Sequence, residues 1–405
     1  MAHHRAPVIS RLALGALAVA LAGCGTVDGA ATAGEIDVRT LAVGKYTTAP
    51  ADVEAARAPT DGPVLEGLRM AGAAVLPHEV DPALTHDWGT DVVDSPRKAA
   101  DVSAISNVNL PTLERHRMIV AFDVAGGDRA FDSKVRAIDT DARVARIVLF
   151  RFPGAAAAEA AAGELEATDF GVSPDNQPVP IPGHPTAHAH WRPGVKTVGA
   201  TYAQGEIVVS VFLQHPTPDI DALARRVAAI LDAQKPLLDR FTPTAPDRIA
   251  DLPRDPDDLL RRTLIPGPAN QRIAISSREY AAWPGRAGLH FRPSAPAELA
   301  AAWDRGGVDS VANSYTTDLF RFRDEDAARE FGATWHETLS AAAHPVAGPD
   351  RVPGARCAER RAGDEPAVVR CYVSYRRYGA FVSGSEATGV RQQAAAQYAL
   401  LANAQ

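Results

Sequence analysis

The densest group of ligand-type side chains in the sequence is His184, His188 and His190. Residues two apart on a strand share a face, so His188 and His190 point the same way. Two imidazoles on one face can chelate a borderline metal such as zinc or copper. No cysteine or carboxylate stands inside the group, and Pro185 separates His184 from the other two. The expectation is a pair of surface histidines and no bound metal, with His188 and His190 the candidate ligands. Serine chemistry needs a Gly-x-Ser-x-Gly elbow between strand and helix. Ser383-Gly384-Ser385-Glu386 lies at such a junction without the flanking glycines. It reads as a turn in which Ser385 or Thr388 caps the next helix. Asp139-Thr140-Asp141 alternates like a calcium loop but lacks the glycine and the closing glutamate, and reads as a polar turn. In Trp335-His336-Glu337 the imidazole and the carboxylate are adjacent on a helix, face different ways and cannot act as base and orienter. Neither a Walker loop nor a Rossmann glycine pattern occurs. No catalytic residue and no cofactor is expected.

The cysteines carry more. Cys24 closes the phrase Leu21-Ala22-Gly23-Cys24, behind an apolar run from Leu12 to Ala22 and the basic residues Arg5 and Arg11. That sequence of regions is an export signal, expected over residues 1–23. Eleven helical residues reach about 16 Å, against a bilayer core of about 30 Å, so the run is too short to span. The four residues resemble the lipobox of bacterial lipoproteins. The resemblance implies that a signal peptidase reads Leu21, Ala22 and Gly23. It also implies that the Cys24 thiol takes a diacylglyceryl group and heads the mature chain. Two or more acyl chains anchor stably where one does not. The expected location is the extracytoplasmic face of the cell membrane. Cys357 and Cys371 remain, and an even pair in an exported chain points to a disulfide. They flank Asp364-Glu365-Pro366, a turn between two strand-like runs. Closing a loop of that length stabilises by roughly 3 kcal/mol.

The chain has 405 residues, which suits two domains better than one. Without residues 1–23 it keeps 40 basic against 49 acidic residues, a net charge of −9 with no basic run. That excludes nucleic acid as an expected partner and offers no contiguous polybasic patch. Residues 24–60, rich in Gly, Ala and Thr, read as the acylated cysteine and a flexible tether. Phe241 to Asp258 holds four prolines and reads as a semi-rigid linker between domains at 61–240 and 259–405.

Those domains are related. Leu149-Phe150-Arg151-Phe152 recurs as Leu319-Phe320-Arg321-Phe322, and an alanine-rich helical stretch, a Pro-Gly, two strand-like runs and a closing helix follow each copy. The closing helix of the first half has Thr217 as its expected cap and Pro218 at its first turn. The expected fold class is α+β: two related domains, each an antiparallel sheet with helices packed on one face. The phrases Gly34-Glu35-Ile36-Asp37-Val38-Arg39-Thr40-Leu41 and Gly44-Lys45-Tyr46 resemble the opening of an actinobacterial cell-envelope lipoprotein family defined by a domain of unknown function. The resemblance implies an exported lipoprotein with two related halves and no assigned activity. The functional expectation is a non-enzymatic binding module. It sits on the membrane through its lipid, and an envelope lipid, glycan or protein binds in the cleft between the halves. The competing class is an extracytoplasmic hydrolase with a non-contiguous site.

Overall fold

Strands with unbroken apolar runs mark the centre of each sheet, because a strand covered on both faces has no solvent side to fill with polar residues. The computed structural model describes residues 35–102, 104–135, 140–265, 273–276, 278–291, 296–339, 343–361 and 366–404. The first sheet contains β1 (His86–Val93), β2 (Val120–Gly127), β3 (Val144–Arg151), β4 (Gln177–Pro178), β5 (His188–Trp191), β6 (Thr197–Gln204) and β7 (Ile207–Gln214), all antiparallel in the order β1-β2-β3-β7-β6-β5-β4. Around it stand α1 (Asp61–Ala71), α2 (Pro77–Val80), α3 (Pro96–Asp101), α4 (Leu110–Arg115), α5 (Ala155–Phe170) and α6 (Ile220–Asp239).

The second half contains β8 (Tyr280–Pro284), α7 (Gly285–Leu289), α8 (Pro296–Gly306), β9 (Ser310–Ser314), β10 (Thr317–Arg321), α9 (Glu325–Leu339), β11 (His344–Val346), β12 (Arg356–Arg360), β13 (Val368–Tyr375), β14 (Tyr378–Gly384) and α10 (Ala387–Asn403). Its order is β8-β9-β10-β14-β13-β12-β11, strand for strand that of the first sheet. The fold is therefore α+β, two related domains with antiparallel sheets and packed helices, and the repeated Leu-Phe-Arg-Phe closes β3 in one and β10 in the other.

Helices cover both faces of the first sheet. Val148 and Phe150 of β3 join Ala121, Val208 and the alanines of α5 in one core. On the opposite face α1 comes so close that a Cβ on Gly67 would lie 2.3 Å from a methyl of Val92, a separation only glycine permits. Residues 81–112, illegible in the sequence, supply β1, α3 and the start of α4.

Three boundaries differ from expectation. Asp219, not Thr217, caps α6, its side chain accepting from the Ala222 amide at 2.9 Å. Glu386 rather than Ser385 or Thr388 caps α10, accepting from the amides of Thr388 and Gly389. Residues 37–60 are not a free tether. Leu41 and Val53 are buried, Val43 and Tyr46 pack on Leu264, Ala396 and Leu400, and the Asn403 side chain donates to Thr48 O at 2.9 Å. Isolated apolar residues among Gly, Ala and Thr suffice here because α10 offers them a ready apolar surface.

Cys357 and Cys371 face each other in register across β12 and β13 and form a disulfide, both buried. Cys357→Ser is expected to lower the melting temperature of oxidised protein by the equivalent of roughly 3 kcal/mol. Under reducing conditions the same substitution should change little; an equal effect in both would mean the thiol's packing, not the bond, carries the stability.

Candidate functional site

The residues joining the two halves include the most thoroughly buried charges of the molecule. α1 is buried on nearly every side. Glu66, with no exposed surface, is paired with Arg151 at the end of β3, which is equally buried. Arg69 reaches the same carboxylate at 2.5 Å, and Thr244 of the linker donates its amide at 3.0 Å and its hydroxyl at 2.8 Å. Arg151 also donates to the Thr244 carbonyl. At the linker's other end Arg254, again fully buried, pairs with Asp61 of α1 at 3.0 Å and donates to Ile273 O at 2.5 Å. Arg321, the repeat counterpart of Arg151, holds Asp257 at 3.1 Å and Asp309 at 2.6 Å. The arginine of each Leu-Phe-Arg-Phe thus grips one end of the proline-rich segment. The buried carboxylates Glu66 and Asp61 are each held by a buried arginine, so this linker is a fixed part of the core.

Beside these networks lies the contact between β1–β2 and the segment after α7. His290 is buried, with its ring edge-on to Phe122 at 5.1 Å and its Nε2 3.3 Å from Ala74 O. Thr90 donates its hydroxyl to His290 O at 2.9 Å, and Arg278 donates to Thr90 O at 2.7 Å. Arg286 and Glu79 make a two-pronged ion pair across the same seam at 2.8 and 2.5 Å. Burial pushes the His290 pKa down to about 3, and the Arg286 charge adds to it. His78, His86, Asp87 and His290 line the cleft that opens here, which holds about 30 Å³ of water-accessible space. That is about one water molecule, where ligand sites run to several hundred Å³. Among the described residues, α1 and the linker pack into the junction here, and this cleft is too small for a ligand.

The histidines named from sequence separate. His184 turns to α6, its Nε2 2.9 Å from Asp232. His188 and His190 do share a face and turn to α5, but only His190 gains a partner there, its Nδ1 2.8 Å from Glu166. That hydrogen bond raises the His190 pKa against the opposing effect of burial. Nearby Asp169 is also raised, by burial. Among the described residues no three His, Cys, Asp or Glu side chains converge to hold a metal ion. Because the folded His190 pKa lies above its unfolded value, its pairing stabilises fully below that unfolded value. The contribution fades as pH rises through the folded one. His190→Gln should accordingly destabilise more at about pH 5.5 than at about pH 8.5, read as two urea titrations.

Leu21, Ala22, Gly23, Cys24 and Asp139 lie outside the described residues, as do the side chains of His336 and Glu337. No helix among the described residues is long and apolar enough to cross a membrane. Sequence reasoning missed Glu66, Arg254 and His290, whose partners stand far away in the chain. For Arg151 and Arg321 the signal was present, a charged residue conserved between two copies of an otherwise apolar strand end.

Fold and junction define a duplicated antiparallel α+β module whose halves share one polar-locked core. Residues 53–254 match the N-terminal model, and residues 259–404 the C-terminal model, of a domain of unknown function, DUF7373. The chain belongs to this family. No curated protein matches. Among solved structures, the extracellular domain of PknH from Mycobacterium tuberculosis is similar over 43% of this chain and 98% of that one, at 12% identity and a TM-score of 0.31. A likeness that slight carries no argument.

Proposed function

We propose that the protein is a lipoprotein of the extracytoplasmic membrane face, anchored through acylated Cys24, and that it acts by binding without catalysis. The Cys357–Cys371 disulfide carries the location, since such bonds persist in oxidising compartments, and Leu21-Ala22-Gly23-Cys24 supplies the anchor. The buried charge pairs of the junction support the mode of action: a rigidly held body presents preformed surfaces to a partner. An envelope lipid, glycan or protein is the class of ligand. The hydrolase reading has one observation in its favour, the Glu166–His190 hydrogen bond, since a carboxylate beside an imidazole is the arrangement by which a general base is oriented.

Two measurements separate the readings. Mass spectrometry of membrane-fraction protein should find a Cys24-led peptide carrying diacylglycerol mass; the same peptide unmodified removes the anchor. Native mass spectrometry of protein taken from its own envelope should find a retained lipid, glycan or protein. Turnover of a model ester or amide that His190→Gln abolishes would favour the hydrolase instead.

A further inference from the structure

The turn between β13 and β14 is Arg376-Arg377, and the loop from β11 into β12 carries Arg351 and ends at Arg356. Register puts all four at one end of the second sheet. Tyr375 pairs with Tyr378 at the turn, and Arg356 stands opposite Tyr372, so the β11–β12 loop leaves the sheet at the same end. All four are exposed. Arg376 and Arg377 lie over the rings of Tyr375 and Tyr378, and none of the four is held by a carboxylate in an ion pair among the described residues.

Two of them sit where a side chain is unwelcome. Arg376 has φ +49° and Arg351 φ +66°, the left-handed region that favours glycine. The first half shows the unstrained solution. Its corresponding two-residue turn, between β6 and β7, is Gly205-Glu206, with the glycine at φ +57°. The second copy has therefore traded a relaxed, acidic turn for a strained, doubly basic one. Such a backbone position costs free energy in any residue but glycine.

The chain's course adds direction. Asp37 opens the compact unit, 37–405. Arg39 holds its carboxyl down at about 2 through a paired hydrogen bond, and the Arg351 charge contributes. The unit thus begins beside the arginine end. Twelve residues separate Cys24 from Asp37, a reach of at most about 40 Å. With a lipid on Cys24, this end can be no farther than that reach from the bilayer.

We infer that Arg351, Arg356, Arg376 and Arg377 form a docking surface for the phosphate headgroups of anionic phospholipids in the membrane that holds the anchor. The inference rests on the lipoprotein reading. The mature chain is strongly acidic, so an anionic bilayer repels most of its surface and only a local basic end can approach. Guanidinium groups suit phosphate because they donate two parallel hydrogen bonds. No basic run announces the patch in the sequence, because the turns assemble it from residues 351 to 377.

The test uses the mature chain with Cys24→Ser, floated with vesicles of phosphatidylcholine alone or with one third phosphatidylglycerol. Binding is expected only with phosphatidylglycerol, and it should weaken as salt rises. Each arginine removed should weaken it about five-fold. Arg376→Gly is the sharpest variant, since it removes charge and strain together: vesicle binding should fall while the melting temperature holds or rises. Arg377→Glu should weaken binding further. Flotation that is equal on both vesicles, absent on both, or unchanged in Arg376→Gly/Arg377→Glu overturns the proposal. The tested protein carries no acyl group, so an unmodified Cys24 peptide in native protein would sink the anchor without altering this result.

Discussion

Glu66→Ala should destabilise the protein by about 3–5 kcal/mol, the range for removing one member of a fully buried ion pair. The reason is what remains. Arg151 has no exposed surface and cannot turn its guanidinium to water. The Thr244 amide and hydroxyl lose their acceptor at the same time, and each orphaned donor adds about 1–3 kcal/mol. Arg69 is different: its side chain is 39% exposed and can rehydrate. Glu66→Leu combined with Arg151→Met should recover most of the loss, since an apolar pair of similar volume replaces buried charges with little penalty. The residue not recovered belongs to Thr244. Urea titration of the two variants gives the comparison, and limited proteolysis gives its structural counterpart, with cutting inside 241–258 rising in Glu66→Ala. If the double variant proves no more stable than the single one, the arginine left behind is not the source of the loss.

Glu66 also shows where the sequence stops being legible. In a helix with Leu65, Leu68 and Met70, a glutamate reads as the solvent side of an amphipathic stripe. That reading presumes one packed face. α1 is packed by the first sheet on one side and by the linker and second half on the other, so its polar residues are inside as well. Periodicity detects a face; it cannot detect a second neighbour hundreds of residues away. What depended on local pattern was legible. The repeated Leu-Phe-Arg-Phe located corresponding strands of two sheets with the same order, and the cysteine pair fell in register. What depended on assembly was not. The segment 37–60 looked like tether because its few apolar residues are too sparse for a period, yet Leu41 and Val53 are buried. The arginine turns looked like scattered surface charge because 351 and 376 become neighbours only through strand pairing. The histidine group ran the other way: residues close in sequence were parted by strand alternation and the turn at Pro185, with His184 sent to α6 and His190 to α5.

The second large effect is acid lability through His290. Its folded pKa is about 3, where the ordinary value is 6.5, because burial disfavours the charged ring. The sign follows from proton counting. Between those two values the unfolded chain binds a proton at this position and the folded chain does not. Stability is therefore complete above about pH 6.5 and is lost as pH falls towards 3. At about 1.36 kcal/mol per unit, the full interval amounts to roughly 4–5 kcal/mol. This runs opposite to His190, whose pairing favours the acidic side. His290→Gln should keep a donor near Ala74 O while removing the titration. It should start less stable at neutral pH, since the contact with Phe122 is lost, but its stability should fall more gently with acid. The quantity to compare is the slope of unfolding free energy against pH between about 4 and 6, where the native chain should exceed the variant by close to one proton. Parallel slopes would mean that His290 takes up its proton while still folded. The seam between the halves would then be open to water at that ring, contrary to the packing of Phe122, Thr90 and Ala74 around it.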